Sequence, residues 1–326
     1  MIDRRGFLYA GGLSAAAAPF TAAAYAAPGA SFPSVADFGV QPNAGSDQTA
    51  AVQKALSELA RVGQPVVLPP GVYLIGSLTL PKACTIIGTP GLTVLRAKSS
   101  EPLLSGNGLG VLHVSGLTFE GAAAKGGTAM LSVSDAAVTL EHCRFSGAGA
   151  SALSLDNCSG IVQSIEIAGT IGIGISAVRA AALTIAACRV AACESAGIAV
   201  SGTGEDVAGF AIGQNHVAGC GIGVIADGTG VVTGNIVTGA GRFGLKLGRA
   251  NGQGQVVAQG NILRGCRIGI GVASSGDDIM ASLNFIAGAK EGAIRAFDGE
   301  RLVGPDLVRQ SAESYLNLMV AGNVAR

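Results

Sequence analysis

Residues 231–272 read VVTGNIVTGAGRFGLKLGRANGQGQVVAQGNILRGCRIGIGV, and two copies of one unit lie end to end in them. Val231-Val232-Thr233 precedes Asn235, Val237, Gly239 and Ala240, and then comes Leu245-Lys246-Leu247. Val256-Val257-Ala258 precedes Asn261, Leu263, Gly265 and Cys266, and then comes Ile270-Gly271-Val272. Each unit holds three short apolar stretches separated by glycine. Apolar residues at every second position describe a strand with one buried face. A unit this short cannot bury that face alone, so it must stack on copies of itself.

The same columns extend in both directions. The chain aligns on Leu117, Cys143, Ile165, Cys188, Asn215, Asn235, Asn261 and Asn284. Two positions on stand Phe119, Phe145, Ile167, Val190, Val217, Val237, Leu263 and Ile286; four positions on, Gly or Ala; five positions on, a small residue. The alternating strand that follows has the inward pairs Leu153/Leu155, Ile173/Ile175, Ile198/Val200, Ile222/Val224, Leu245/Leu247, Ile270/Val272 and Ile294/Ala296. Three strands per coil with glycine at the corners predict an all-β, three-sheet parallel β-helix. A leucine-rich repeat has an overlapping period, but leucine is sparse here and no helical segment separates the strands.

The columns account for two residue types. Five of the seven cysteines fall in interior columns that need a small apolar filler. None forms a Cys-x-x-Cys pair and only three histidines are present, which argues against zinc. The four asparagines predict a buried ladder of stacked amides.

The ends differ from the repeats. In residues 47–62, Val52, Ala55, Leu56 and Leu59 share one helical face, which predicts a capping α-helix over the first coil. Regular coils are expected over about 66–298, with a C-terminal cap at 299–326. Before the helix, Arg4-Arg5-Gly6-Phe7-Leu8, an Ala-rich stretch to about Ala24 and Ala24-Tyr25-Ala26 read as a signal peptide over 1–26. The arginine pair points to twin-arginine (Tat) export, an ordinary Sec signal being the alternative. The mature chain, 27–326, is then a single domain, periplasmic or secreted. Tat substrates fold before export, which argues against a disulfide scaffold. Zero formal net charge implies no attraction to nucleic acid, and Gly, Asn, Gln and charges interrupt every apolar run that might span a membrane.

VADFGV at 35–40, SDQTAAVQKAL at 46–56 and VVLPPGVYLI at 66–75 resemble the N-terminal signature of the pectate-lyase-like superfamily of right-handed β-helices. With the Arg-Arg signal and the ending GNVAR, the chain as a whole is similar to the Tat-translocated repetitive protein family, to which no reaction is assigned. The superfamily resemblance implies a polysaccharide partner, with the alternating strand forming the binding face. Its outward residues are expected to be Ser154, Gly174, Ala199, Gly223, Lys246, Gly271 and Arg295. The chain departs from the superfamily's hydrolases. Glycoside hydrolysis uses paired carboxylates, and none lies on this strand. His113, His142 and His216 form no Gly-His-Gly, and Arg267-Ile268-Gly269 stops short of Arg-Ile-Lys.

The following turn is richer, with Asp156, Arg179, Glu205, Asp206, Asp227, Arg249, Asp277, Asp278 and Asp298. Asp227, Asp277 and Asp278 are candidate Ca²⁺ ligands. Lys246 and Arg295 are candidate catalytic groups facing a uronate, with Lys246 the better base because a lysine pKa moves readily on burial. Arg242, Arg249 and Asp298 are candidate substrate-binding residues. The bland alternative makes all of these solvated turn residues. Two functions stay open: binding of an envelope or other polysaccharide without catalysis, supported by the bare Gly/Ala face, or a Ca²⁺-dependent lyase or epimerase acting on uronic-acid polymers.

Export provides the first test. Replacing Arg4 and Arg5 by lysine keeps the charge but removes the guanidinium forks. Precursor should accumulate inside the cell, whereas normal export of the double variant would point to Sec.

Overall fold

Strands 20 to 27 residues apart in sequence meet in register and in parallel, so each backbone N–H or C=O that one coil exposes is answered by the next. The computed structural model describes residues 33–122, 128–202, 209–299, 301–309, 312 and 315–326. The signal segment, Glu205 and Asp206 lie outside the described residues. Ser34–Arg326 gather into one compact unit. It is a right-handed parallel β-solenoid of about 10 turns with one helix near its start.

Each coil has three faces. The first carries the alternating strands, such as Ile222–Asp227, Phe243–Leu247 and Ile268–Ala273. The second carries Gly230–Thr233 and Gln255–Gln259; the third carries Ile236–Thr238 and Ile262–Arg264. Three separate sheets were expected, but hydrogen bonding makes two, of 20 and 11 strands. Leu131–Glu141 and Leu153–Gln163 run through the corner without breaking and join the first face to the second.

The interior is filled column by column. Phe119 and Phe145 stack with centroids 4.5 Å apart and planes 4° from parallel. All seven cysteines are buried and free. Burial pushes the Cys143 and Cys188 thiols up to about 11, as fits apolar filler rather than reactive groups.

The amide ladder is present and one rung longer than expected. Asn215 donates its backbone N–H and its side-chain amide to Asn235 Oδ1, at 3.0 and 2.9 Å. Asn235 does the same to Asn261, Asn261 to Asn284, and Asn284 to Asn323. The second amide hydrogen of each goes to a carbonyl of the preceding coil, for example Asn235 to Ile212 O at 2.9 Å.

Both ends are closed by different devices. The helix spans Thr49–Arg61 and buries Val52, Ala55, Leu56 and Leu59, the face expected from the spacing. Its Gln53 acts as a false strand: Oε1 accepts from Thr79 N (2.8 Å) and Nε2 donates to Thr79 O (2.9 Å). At the far end, Arg301–Asp306 turns back antiparallel on Ile294–Asp298 and covers that strand's edge. No helix among the described residues is long and apolar enough to cross a membrane.

Asn235→Ala or Asn261→Ala strands two donors of the neighbouring asparagine and one carbonyl. Each orphaned buried group costs about 1–3 kcal/mol, so the thermal midpoint should fall by several degrees. Melting curves that match the parent would place these amides in solvent.

Candidate functional site

On the first face, strand register places the outward side chains in straight lanes. One lane runs Ser105, Ser132, Ser154, Ser176, Ala199, Ile225, Lys246, Gly271 and Arg295. Beside it runs Asn107, Ser134, Asp156, Val178, Ser201 and Asp227. The lane expected from the repeat contained Gly174 and Gly223 where the structure has Ser176 and Ile225. Those two rows were aligned two residues early. Gly174 and Gly223 instead face inward at a corner. A Cβ on Gly174 would meet Val190 Cγ1 at 2.7 Å and Cys193 Sγ at 3.1 Å, and one on Gly223 would overlap Val237. The face expected to be bare therefore carries serine hydroxyls over the first four positions of its outer lane.

Charge collects at one end of these lanes, around Asp227. This residue ends the strand Ile222–Asp227. Its Oδ1 is buried and has no hydrogen-bond partner among the described residues. Burial pushes its carboxyl up to about 6; Lys246 and Arg249 pull it down and the charge of Asp277 pushes it up. Lys246 stands on the adjacent strand, opposite Ile225, with Nζ 5.0 Å from the centroid of the Phe297 ring. Phe297 meets Phe243 at 5.9 Å, and Arg242 lies 6.0 Å above Phe243. Gly271 makes room for both rings, since a Cβ there would meet Phe243 at 2.6 Å and Phe297 at 3.3 Å.

The other expected site residues are placed differently. Asp277 is fully buried. Its Oδ2 accepts from Gly228 N and Arg249 N, both at 3.1 Å, and its Oδ1 from Gly254 N at 2.8 Å. It staples three successive coils, and a Cβ on Gly252 would overlap its Oδ1. Asp278 is exposed at the start of the strand Asp278–Ser282, opposite Gln255. Among the described residues no three His, Cys, Asp or Glu side chains gather as a metal would require. As placed, Asp227, Asp277 and Asp278 do not fit one Ca²⁺. Arg295, expected to face substrate, is a clasp: Nη1 donates to Glu291 O (3.0 Å) and Nη2 to Gly304 O (2.9 Å). Asp298 is exposed at the end of its strand, in register with Arg301. Arg249 is exposed and close enough to Asp227 to act on its charge, whereas Arg242, exposed over Phe243, stands at the opposite end of its strand, in register with Gly221.

The sequence reading missed the serine lane and the two phenylalanines. The serines were legible in Leu131-Ser132-Val133, Leu153-Ser154-Leu155 and Ile175-Ser176-Ala177, an apolar-Ser-apolar triplet recurring every 22 residues. No local signal announces Phe243 and Phe297, which meet only because coils stack.

A family described as "Rhamnogalacturonase A/epimerase, pectate lyase-like" matches residues 32–121, and one described as "Right handed beta helix region" matches residues 82–229. No curated relative matches the sequence. Solved structures do match in shape. A polygalacturonase from Erwinia carotovora is 14% identical, with TM-score 0.62, over 88% of this chain and 92% of its own. An Azotobacter vinelandii mannuronan C-5 epimerase A-module is 14% identical, with TM-score 0.60, over 90% and 99%. The catalytic domain of an α-1,3-glucanase in complex with tetrasaccharides is 13% identical, with TM-score 0.58, over 87% and 70%. At these identities the likeness is one of fold.

Half-buried Asp227 and fully buried Asp277 should respond oppositely to loss of charge. Asp227 titrates near 6 when folded, above the ordinary aspartate value of 3.8. The folded state therefore holds the proton more tightly, and stability falls as pH rises from about 4 to about 6. Asp227→Asn should raise stability at pH 7–8 by about 1–2 kcal/mol, with the gain vanishing below about pH 4. Asp277→Asn turns an acceptor of three N–H groups partly into a donor and should lower stability by about 2–4 kcal/mol. Urea melts of both variants at pH 4 and 8 decide it; equal effects at both pH values for Asp227→Asn would refute the assignment.

Proposed function

Because the chain is a right-handed β-helix of the pectate-lyase-like superfamily, we propose that its first face holds an acidic glycan and acts at a uronate unit beside Asp227. One observation carries this reading. A carboxyl with a buried, unpartnered oxygen and a pKa raised to about 6 stands in the field of Lys246 and Arg249. A carboxylate so perturbed, with one buried oxygen to which no described residue donates, is a candidate for a functional site. The names of the structural neighbours, which include a mannuronan epimerase and a polygalacturonase, support a glycan as the ligand class.

The arrangement suits proton transfer next to a carboxylate. Lys246 and Arg249 pair with the uronate carboxylate and stabilise the negative charge that develops when the neighbouring C–H is broken. Asp227, ionised at neutral pH, accepts that proton. It replaces Lys246, the base expected from the sequence, because it is the group whose pKa lies near the working pH. Expulsion of the glycosidic oxygen on the adjacent carbon, which takes its proton from water, then gives an unsaturated sugar, as in a lyase. Delivery of a proton from water to the opposite side of the same carbon, with Asp227 losing its own to solvent, gives the epimer. Hydrolysis is less well supported, since it calls for a second working carboxylate and the neighbouring Asp277 is held by three backbone N–H groups. Binding without conversion is the second reading, favoured by the long hydroxyl lane. The compartment proposed for either is outside the cytoplasm.

Purified protein mixed with oligouronates should raise the absorbance of unsaturated products or change the sugar ring's proton NMR spectrum. The value of kcat/KM should rise through about pH 6 as Asp227 ionises and level off above it. That limb should disappear in Asp227→Asn, and Lys246→Ala should lower both affinity and turnover at least about tenfold, roughly 1.4 kcal/mol. Tight binding with no new product would support the binding reading. Absence of binding to any acidic glycan would overturn the proposal.

A further inference from the structure

Asp277 takes no part in the chemistry proposed for Asp227, yet it is tied to the loop that carries Arg249. The corner after the first face is crossed without a break in Leu131–Glu141 and Leu153–Gln163. Between Ile222–Asp227 and Gly230–Thr233 it is crossed by Gly228-Thr229 alone. Between Phe243–Leu247 and Gln255–Gln259 it takes the whole of residues 248–254. Arg249 stands on this longer loop. Loops held by a rigid scaffold are where binding residues concentrate.

Asp277 closes the loop from the next coil. Its Oδ1 accepts from Gly254 N at 2.8 Å and its Oδ2 from Arg249 N at 3.1 Å, so the two ends of the loop share one carboxylate. The same Oδ2 accepts from Gly228 N at 3.1 Å, on the residue that follows Asp227. Two glycines fit the loop to this clamp. A Cβ on Gly252 would overlap Asp277 Oδ1, and the three atoms nearest to it all belong to that carboxylate. A Cβ on Gly254 would overlap the backbone of Gly228. A fully buried charge is costly unless it is matched. Among the described residues Asp277 is the one acidic or basic side chain so buried. The other coils stack without such a group, so coil pairing does not call for it.

We propose that Asp277 is a positioning residue: one carboxylate oxygen fixes the backbones of Gly228 and Arg249, and so keeps Asp227 and the Arg249 guanidinium together on one sugar unit. Its role in binding rests on the reading of the Asp227 cluster as the uronate site. Among the described residues, the charges acting on Asp227 are Lys246 on the adjacent strand, Arg249 on the loop and Asp277 on the coil beyond. Lys246 is carried by a strand paired on both sides, whereas Arg249 keeps its place through the clamp. Asp277 touches no substrate and acts through that loop.

A double-mutant cycle on the titration of Asp227 tests this, read by carboxyl-carbon NMR of the full chain without ligand. In the parent, Arg249→Gln removes a cation that favours ionised Asp227 and should raise its midpoint by about half a pH unit. Gly252→Ala pushes the Asp277 carboxylate out of the clamp but keeps its charge. In that background Arg249→Gln should move the midpoint roughly half as far or less, because the guanidinium has already lost its place. Asp277→Asn is the second background, with the same expectation, and melting curves check that each variant is folded. The Gly228 and Arg249 amides should exchange with solvent at least about tenfold faster in both backgrounds than in the parent. Equal midpoint shifts in all backgrounds, or unchanged amide exchange, overturn the inference and leave the uronate site standing. Calorimetry with a galacturonate hexamer addresses that site separately. Affinity that falls about tenfold with Arg249→Gln, and by a similar factor with Gly252→Ala, supports both readings. Binding indifferent to Arg249→Gln overturns the uronate site, and with it the role of the clamp in binding.

Discussion

Hydrogen bonding between successive coils governs nearly everything else in this molecule. A strand of two to six residues has no stability alone; here each is paired in parallel on both sides, except at the ends. That pairing fixes coil spacing, and coil spacing places like residues above like. The asparagine ladder exists because Oδ1 of one coil stands where N–H and amide hydrogens of its neighbour arrive together. The cysteine columns and the Phe119/Phe145 stack obey the same geometry.

The constraint also shapes the site. Outward residues cannot wander; they stand in lanes, and chemistry arises where a lane changes character. Hydroxyls give way to apolar rungs and then to charge within a few coils. The aromatic pair beneath Lys246 depends on Gly271 being bare, so a residue without a side chain positions three that have them. The Arg301–Asp306 return strand limits this face at its far end and is held by Arg295.

Asp227 and Asp277 show how little residue type decides by itself. Both follow the first face and both are largely withdrawn from water. Asp277 receives three backbone N–H groups, so its charge is matched and it holds coils together. Asp227 has a buried oxygen with no donor among the described residues, so its charge is opposed by burial and its pKa climbs. A carboxylate that holds coils together and one whose charge is opposed by burial differ here in who donates to them.

The sequence by itself determined the solenoid, its period, the capping face of Val52, Ala55, Leu56 and Leu59, five of the seven buried cysteines and four of the five ladder asparagines. These follow from local periodicity, because a buried position repeats whenever the coil does. It also placed Asp227, together with Asp277 and Asp278, in the turn near Lys246. Only the tertiary structure decided which residues of the first face look outward. Gly174 and Gly223 have no side chain to reveal their direction, so two rows slipped by two residues and hid the serine lane. Only the tertiary structure separated Asp277 from Asp227 and turned Arg295 into a clasp. Those outcomes depend on backbone N–H and C=O groups brought from other coils, and a backbone group has the same appearance in every residue of a sequence.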